Sequence, residues 1–403
     1  MESDSRRNPI CVDLFSGAGG LSHGLEQAGF RSVLAVDFDK NAAATYQKNH
    51  PGTKVICGDV AAVTPDEVFE ACGGRELDLL TGGPSCQGYS THGKRDEDDP
   101  RNFLFEHFIR LVGEVRPKWI LMENVTGLLA YRGGYFKNLI TDSFSSVGYD
   151  VSSTVLVAAD YGVPQLRRRI FFLGTRTGTP ISFPEPTHAP VVDLFSKGVS
   201  PYVTVEEAIG DLPPMRGELR RADWDYATAP KSDFQRYARR KSPALTLHQA
   251  NGVSAQARQV VKYIKEGQGL RSVPPDMLPD RFKKMRTISD GSLRKDCTTL
   301  YYRLARDRPA YTITCYFRNV ASGPFLHPLE DRSLSYREAA RLMSFPDGYQ
   351  FEGTGIPRQI GNAVPPLLAK AIGEHIIKLL CEDGAAPVKR RKLAITKVTS
   401  IHA

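Results

Sequence analysis

Short apolar runs alternate with amphipathic stretches through the first third of the chain. Ile10 to Phe15, Ser32 to Val36, Lys54 to Cys57, Leu77 to Thr81 and Trp119 to Met122 read as strands. Leu21 to Ala28, Asn41 to Asn49 and Phe103 to Val115 carry the helical period between them. Strand and helix in regular alternation predict a parallel sheet covered on both faces, the α/β class. After Gly174 the rhythm breaks. From Pro184 to about Arg303 the chain is rich in Pro, Gly, Arg and Asp, with isolated periodic pieces such as Ala255 to Ile264, and an amphipathic helix returns from Pro366 to about Leu380. This predicts a sheet domain at 1–182, a second, smaller, irregular domain with its hinge at 183–354, a segment at 355–385 returning to the first domain, and a polar tail at 386–403 that carries KRRK at Lys389 to Lys392 and reads as disordered.

With 403 residues, 41% of them hydrophobic and 24% charged, the chain has the composition of an ordinary globular protein with room for two domains. The N-terminus carries no signal-peptide pattern, and no apolar run is long enough to span a bilayer, so no membrane partner is expected. Seven cysteines, with no CxxC pair, argue against a disulfide framework and a zinc site, and for a reducing, intracellular location. The net charge of +8 is unevenly spread: Leu212 to Arg308 holds 21 Lys and Arg against 10 Asp and Glu. That imbalance suits either a polyanion-binding surface or a solvated basic face.

The first strand ends in DLFSGAGGLS, Asp13 to Ser22. A glycine-rich turn between a first strand and a first helix admits a ligand close to the backbone and points amides at it. Asp37, twenty residues beyond Gly17 at the end of the second strand, is placed to accept ribose hydroxyls, and Asp59 adds an acceptor after the third strand. Ser22 stands where a dinucleotide fingerprint would have its third glycine, so the turn alone also fits a plain tight turn, with Asp37 a helix cap. The fourth strand runs into GGPSCQGYS, Gly82 to Ser90, and the fifth ends in MENV. Cys86 and Glu123 would then face the same crevice as the glycine turn, although Glu123 also fits an N-terminal acid on a helix at Thr126 to Ala130.

These motifs, in this order, with QLRRR (Gln165 to Arg169), RPAYTIT (Arg308 to Thr314) and GNAVPP (Gly361 to Pro366), resemble the cytosine-5 DNA methyltransferases of the bacterial restriction-modification type, over nearly the whole chain. The resemblance implies a Rossmann-like sheet that binds S-adenosylmethionine, a smaller target-recognition domain, and transfer of a methyl group to carbon 5 of a flipped cytosine in duplex DNA through a covalent Cys86 adduct. It implies a catalytic set of Cys86, Glu123, Arg167 and Arg169. Phe15, Ser16, Gly17, Gly19 and Leu21 would line the methionine part of the cofactor, Asp37 its ribose, Phe38 a face of the adenine, and Asp59 with Val60 the adenine edge. Pro84, Leu104, Asn362 and Ala363 would complete that pocket. DNA contacts would fall to Gln87, Ser90, Arg168, Lys231, Arg236, Arg239, Arg240 and Lys241. Ser85 departs from the family, which usually has proline before the nucleophile, and removes one fixed φ angle from the loop.

The same resemblance makes the protein a monomer in the cytoplasm, on the nucleoid, or in the nucleus if the host is eukaryotic, with a cognate restriction endonuclease as a companion. Two other readings fit these residues: a tRNA cytosine-5 methyltransferase, and a DNA-binding regulator that keeps the fold without catalysis.

Overall fold

The structure, a computed structural model, describes residues 8–84, 103–192, 198–240, 242, 244–287 and 299–383. Its centre is a seven-stranded sheet of β1 (Ile10–Leu14), β2 (Arg31–Asp37), β3 (Lys54–Cys57), β4 (Leu79–Gly82), β5 (Trp119–Val125), β6 (Asp150–Val157) and β7 (Arg168–Thr175), in the order β3-β2-β1-β4-β5-β7-β6. The first five strands are parallel. Helices α1 (Gly20–Ala28), α2 (Lys40–Asn49), α3 (Pro65–Cys72), α4 (Leu104–Val115), α5 (Gly127–Ala130) and α6 (Tyr135–Ser146) alternate with them. The protein has a mixed α/β, Rossmann-like fold.

Strand alternation divides the core in two. Ile10, Val12, Leu14, Ile120, Met122, Ile170 and Phe172 pack on one face with Val68, Phe108, Leu111 and Phe144. Cys11, Trp119, Leu121, Phe171 and Leu173 point to the other, where Leu21 and Leu25 of α1 meet Leu368, Ile372 and Ile376 of the last helix. Strands buried on both faces read as continuous apolar runs, which is why β1 and β5 stand out in the sequence.

The five strands read as parallel from the sequence are so, and beyond them the sheet continues in another direction, because β7 runs antiparallel to both β5 and β6. A parallel pairing of β6 with β7 would need a crossover of about a dozen or more residues. The link 158–167 is shorter than that and holds only a 3-10 turn, so the chain reverses. The reversal brings the start of β7 to the edge where the parallel strands end, with Arg169 opposite Val125.

Beyond residue 200 the helices are short: α7 (Val205–Ile209), α8 (Asp233–Arg239), α9 (Ala255–Val261), α10 (Asp280–Arg286), α11 (Tyr336–Leu342) and α12 (Ile356–Asn362). A small apolar cluster of its own, including Val260, Leu270, Phe282, Tyr301 and Leu326, lies within 253–326. Another joins Ala208, Phe234, Ile313, Leu342 and Phe345 to Ala18 of the glycine-rich loop. The closing helix α13 (Pro366–Asp383) packs along α1, and Trp119 Nε1 donates to Asp383 near its end at 2.7 Å.

Candidate active site

The carboxyl ends of β1 to β5 form one edge, and the glycine-rich loop leaves β1 there with Phe15 at φ 58° and Gly17 at φ 53°. Gly17 N donates to Asp37 Oδ2 at 2.7 Å, and Asp39 N donates to Asp37 Oδ1 at 2.8 Å. Asp37 therefore ties two turns together, and each oxygen keeps a second lone pair. Asp39 caps α2 through Asn41 N and Ala42 N. Asp59 caps the 3-10 turn that begins at Val60, with Oδ1 2.9 Å from Ala61 N.

Phe38 is 81% exposed directly after β2, although it is a large aromatic side chain. Val60 is buried, Leu104 half-buried at the start of α4, and Asn362 and Ala363 lie where α12 ends. Val364 O and Ala363 Cβ sit close enough to Gly20 that the C-terminal segment closes against the loop. Ser16 and Gly19 are buried in the loop, Leu21 is buried in α1, and a Cβ on Gly17 would meet nothing within 4 Å. Open space over the loop, an exposed aromatic ring and carboxylates on one edge suit a nucleoside bearing a cationic group. Asp13 lies beneath the loop, 1% exposed, accepting from Ser22 Oγ at 2.5 Å; burial pushes its carboxyl up to about 7.

Glu123 and Arg169 meet at the opposite half of the edge. Glu123 lies in β5, not at a helix terminus, and is 8% exposed. Its Oε1 is 2.9 Å from Arg169 Nε, a close ion pair that does not meet hydrogen-bond geometry. Burial raises the Glu123 carboxyl above its ordinary range, while Arg169 and then Arg167 oppose that shift. A Cβ at Gly83 would stand 3.3 Å from Glu123 Oε2, so the carboxylate lies against the strand end that leads to Cys86. Neighbouring Asn124 donates from Nδ2 to buried Pro84 O at 3.2 Å, fixing the root of that loop. Ser85, Cys86, Gln87 and Ser90 lie outside the described residues, as do Lys241 and the KRRK segment.

Arg167, which the resemblance places in the catalytic set, is turned into the protein. It is fully buried and donates to Ile313 O at 3.1 Å and Gly361 O at 3.0 Å. Burial, and then Arg169, lower its pKa, whereas Glu123 raises it. Next to it Gln165 accepts from Ile313 N at 2.8 Å and donates to Leu342 O at 3.0 Å. Leu166 N donates to Ala310 O, and Ala310 N to Pro164 O. Gly361 completes the knot: a Cβ there would come within 2.3 Å of Cys315 N. Three motifs separated by up to 194 positions thus interlock through backbone groups. Gln165 and Asn124 were not singled out as site residues from the sequence; their presence inside QLRRR and MENV was the available signal.

Arg239 also departs from expectation. Instead of facing solvent it donates from Nε to Asp211 Oδ2 at 2.7 Å, pairs with the same carboxylate through Nη2, and stacks 3.9 Å over the Tyr226 ring. A guanidinium already answered by a buried carboxylate has little left for phosphate. Arg236 pairs with exposed Asp233, while Lys231, Arg240 and Arg168 are exposed.

The family model for C-5 cytosine-specific DNA methylases matches residues 10–378. The chain belongs to the C-5 cytosine-specific DNA methylase family. This methylase is 39% identical over 397 residues to the type II methyltransferase M.XorII of Xanthomonas oryzae, covering 94% of this chain and 87% of that one. It is 36% identical to M.DdeI of Desulfomicrobium norvegicum, over 91% of this chain and 88% of the relative. Among solved structures, a putative DNA modification methyltransferase encoded within a prophage of E. coli superposes with a TM-score of 0.70 at 27% identity, covering 93% of this chain and 99% of that one. DNMT2 of Spodoptera frugiperda shares the fold at a TM-score of 0.55 and 18% identity, over 92% of this chain and 99% of the other. The protein is a DNA cytosine-5 methyltransferase, and its family in general uses S-adenosylmethionine as methyl donor. Among the described residues no helix is long and apolar enough to cross a membrane.

Proposed function

We propose that this methyltransferase acts on a cytosine rotated out of duplex DNA, with Cys86 as the covalent nucleophile. The observation that carries this reading is the buried Glu123 carboxyl, raised by its burial and paired with Arg169, beside the root of the Cys86 loop. Carbon 5 of cytosine is a poor nucleophile inside its aromatic ring. Addition of the Cys86 thiolate to carbon 6 turns the ring into an enamine with an electron-rich carbon 5. A protonated Glu123 donates at ring nitrogen 3 and relieves the negative charge that builds there. Arg169 orients Glu123 and reaches toward oxygen 2 of the base, and Arg167 holds the strand that carries Arg169. After methylation, loss of the carbon 5 proton expels the thiolate and restores the ring.

The bound donor, S-adenosylmethionine, supplies an electrophilic methyl group on a sulfonium. Phe15, Ser16, Gly17, Gly19 and Leu21 would hold its methionine part, Asp37 the ribose, Phe38 the adenine face, and Asp59 with Val60 the adenine edge. Pro84, Leu104, Asn362 and Ala363 would close the pocket. The open space at Gly17 and the exposed Phe38 ring support this assignment.

Residues 1–182 and 355–385 would form the catalytic domain and 183–354 the domain that reads DNA, with Lys231, Arg240 and Arg168 on phosphates and Gln87 and Ser90 at the extruded base. The separate apolar cluster within 253–326 supports that division. Type II relatives suggest a cognate endonuclease acting on the same site, and we assign the enzyme as a cytoplasmic monomer working on the nucleoid.

Incubation of the full chain with a duplex carrying 5-fluorocytosine and the methyl donor tests the mechanism, because fluorine blocks the final elimination. A denaturation-resistant complex at Cys86, absent in Cys86→Ala, is expected. Undiminished DNA methylation by Cys86→Ala would overturn it.

A further inference from the structure

Helix α1 starts at Gly19, which sits at φ 86° and offers no side-chain cap. Its amide donates to Ser16 O at 3.0 Å, so the Ala18–Gly19 turn sets the shape of the loop in front of it. Groups distant in sequence fix that turn from behind. Tyr349 Oη lies 2.5 Å from Ala18 O, 331 positions away, and 3.1 Å from His50 Nε2. His50 Nδ1 lies 2.8 Å from Glu26 Oε2, which returns the chain of contacts to α1. A carbonyl oxygen only accepts, so the single Tyr349 hydroxyl proton goes to Ala18 O. His50 Nε2–H must then donate to the Tyr349 oxygen, and one more proton lies between Nδ1 and the Glu26 carboxylate, whichever group owns it. Every link is directional and all three are occupied.

The packing is equally tight. A Cβ on Gly19 would stand 2.7 Å from His50 Nε2, 2.8 Å from Tyr349 Oη and 2.9 Å from Tyr46 Cδ2. Both His50 and Tyr349 are 2% exposed. The Tyr46 ring lies 4.3 Å from that of His50, and Phe345 lies 4.8 Å from Tyr349.

His23, Glu26 and His50 also bring three donor atoms within 4.8 Å of one another. A zinc ion would require them about 3.4 Å apart. The nitrogens of His50 are engaged by Glu26 and Tyr349, and His23 packs edge-on against the Tyr349 ring at 5.0 Å, with burial and then His50 driving its pKa down to about 4. The cluster is organised as a hydrogen-bond relay, not as a metal cage.

We propose that Glu26, His50 and Tyr349 are positioning residues: a relay, buried at His50 and Tyr349 and half-buried at Glu26, that holds the Ala18–Gly19 turn and thereby sets the affinity of the loop for the methyl donor. The inference rests on the assignment of that loop to the donor. It predicts an effect on binding rather than on turnover, since none of the three reaches the Glu123 half of the edge.

Calorimetric titration of the full chain with S-adenosylhomocysteine tests it, using wild type, Tyr349→Phe and Glu26→Gln. Asn49→Ala serves as a control, because Asn49 joins α2 to Gln350 without touching the loop. Removing one link should weaken binding roughly fivefold, with a matching rise in KM for the methyl donor, an unchanged kcat, and faster amide exchange at Gly19 in the unliganded protein. Asn49→Ala should lower the melting temperature without these changes. If Tyr349→Phe fails to fold, Glu26→Gln carries the same test. Unaltered affinity in a folded relay variant overturns the relay, whereas a wild type that does not bind the ligand overturns the cofactor assignment instead.

Discussion

The cofactor half of the sheet edge and the arginine-rich region beyond residue 200 use charge in opposite ways. Along residues 37–59 the carboxylates satisfy backbone amides: Asp37 those of Gly17 and Asp39, Asp39 those of α2, and Asp59 that of Ala61. Beyond residue 200, guanidiniums are buried and answered by carboxylates from 6 to 130 positions away. Arg341 donates to Asp211 at 2.5 Å and to Asp347 at 2.8 and 2.6 Å, and Tyr226 donates to Asp347 at 2.6 Å. Arg332 grips Glu338 at 2.8 and 2.7 Å, and Arg303 reaches Asp331 at 2.5 Å. Of the described Lys and Arg within 212–308, Arg239 and Arg303 are drawn into this internal framework while most of the others are exposed; Arg332, Arg337 and Arg341 lie beyond that stretch. A local surplus of Lys and Arg does not measure a DNA-binding surface; the exposed, unanswered fraction does.

The sharpest way to separate the two regions is Glu123→Gln, which removes the titrating proton while leaving both frameworks standing. Its kcat should fall by about 10²–10⁴-fold, with binding of S-adenosylhomocysteine unchanged by calorimetry. Because burial raises the Glu123 pKa, wild-type methylation should be lost on the alkaline side as pH climbs through that raised value. A pH profile of single-turnover rates should show this limb, and its absence would remove Glu123 as the proton donor.

Asp347→Ala should destabilise the chain by about 3–5 kcal/mol in chemical denaturation, since Arg341 and Arg337 would be left buried and underpaired. An effect below about 1 kcal/mol would mean that the buried network is dispensable. A pH-dependent contribution should come from Asp13, whose folded pKa of about 7 exceeds its ordinary 3.8. A raised acid favours folding with its proton on. Stability from this group should be fully present below about pH 4 and decline as pH rises toward 7, by at most about 1.4 kcal/mol per unit. Asp13→Asn should flatten that decline.

The gentlest test concerns DNA affinity. Lys231→Ala and Arg240→Ala should each reduce the salt slope of log K by about 0.9, measured by anisotropy on a duplex. Arg239→Ala should leave the slope alone and lower stability instead, because its guanidinium already belongs to Asp211. Equal slopes for all three variants would erase the distinction between framework and surface.

What could be read in the sequence is what local physics encodes. The β1-α1-β2-α2-β3 series follows from apolar runs buried on both faces and from caps such as Asp39 beside their helices. Helix α3 carried a readable signal that the strand-based reading passed over: Thr64 and Glu67 make a capping box, with Pro65 at the first helical position. The antiparallel turn at β7 was less accessible, because periodicity marks a strand but not its direction; the short link decides that.

Arg167 and Arg169 are the same residue type two positions apart, yet Arg167, just before β7, turns inward to Ile313 and Gly361, while Arg169 within β7 lies beside Glu123. Likewise, nothing local joins His50 to Tyr349 or Arg239 to Asp211. Sequence alone determined the elements, the chemistry available and the family, since these rest on residue type and short-range spacing. Which charges face a substrate and which are consumed within the protein was decided only in three dimensions, because burial and partner geometry depend on segments that meet only after the chain has folded.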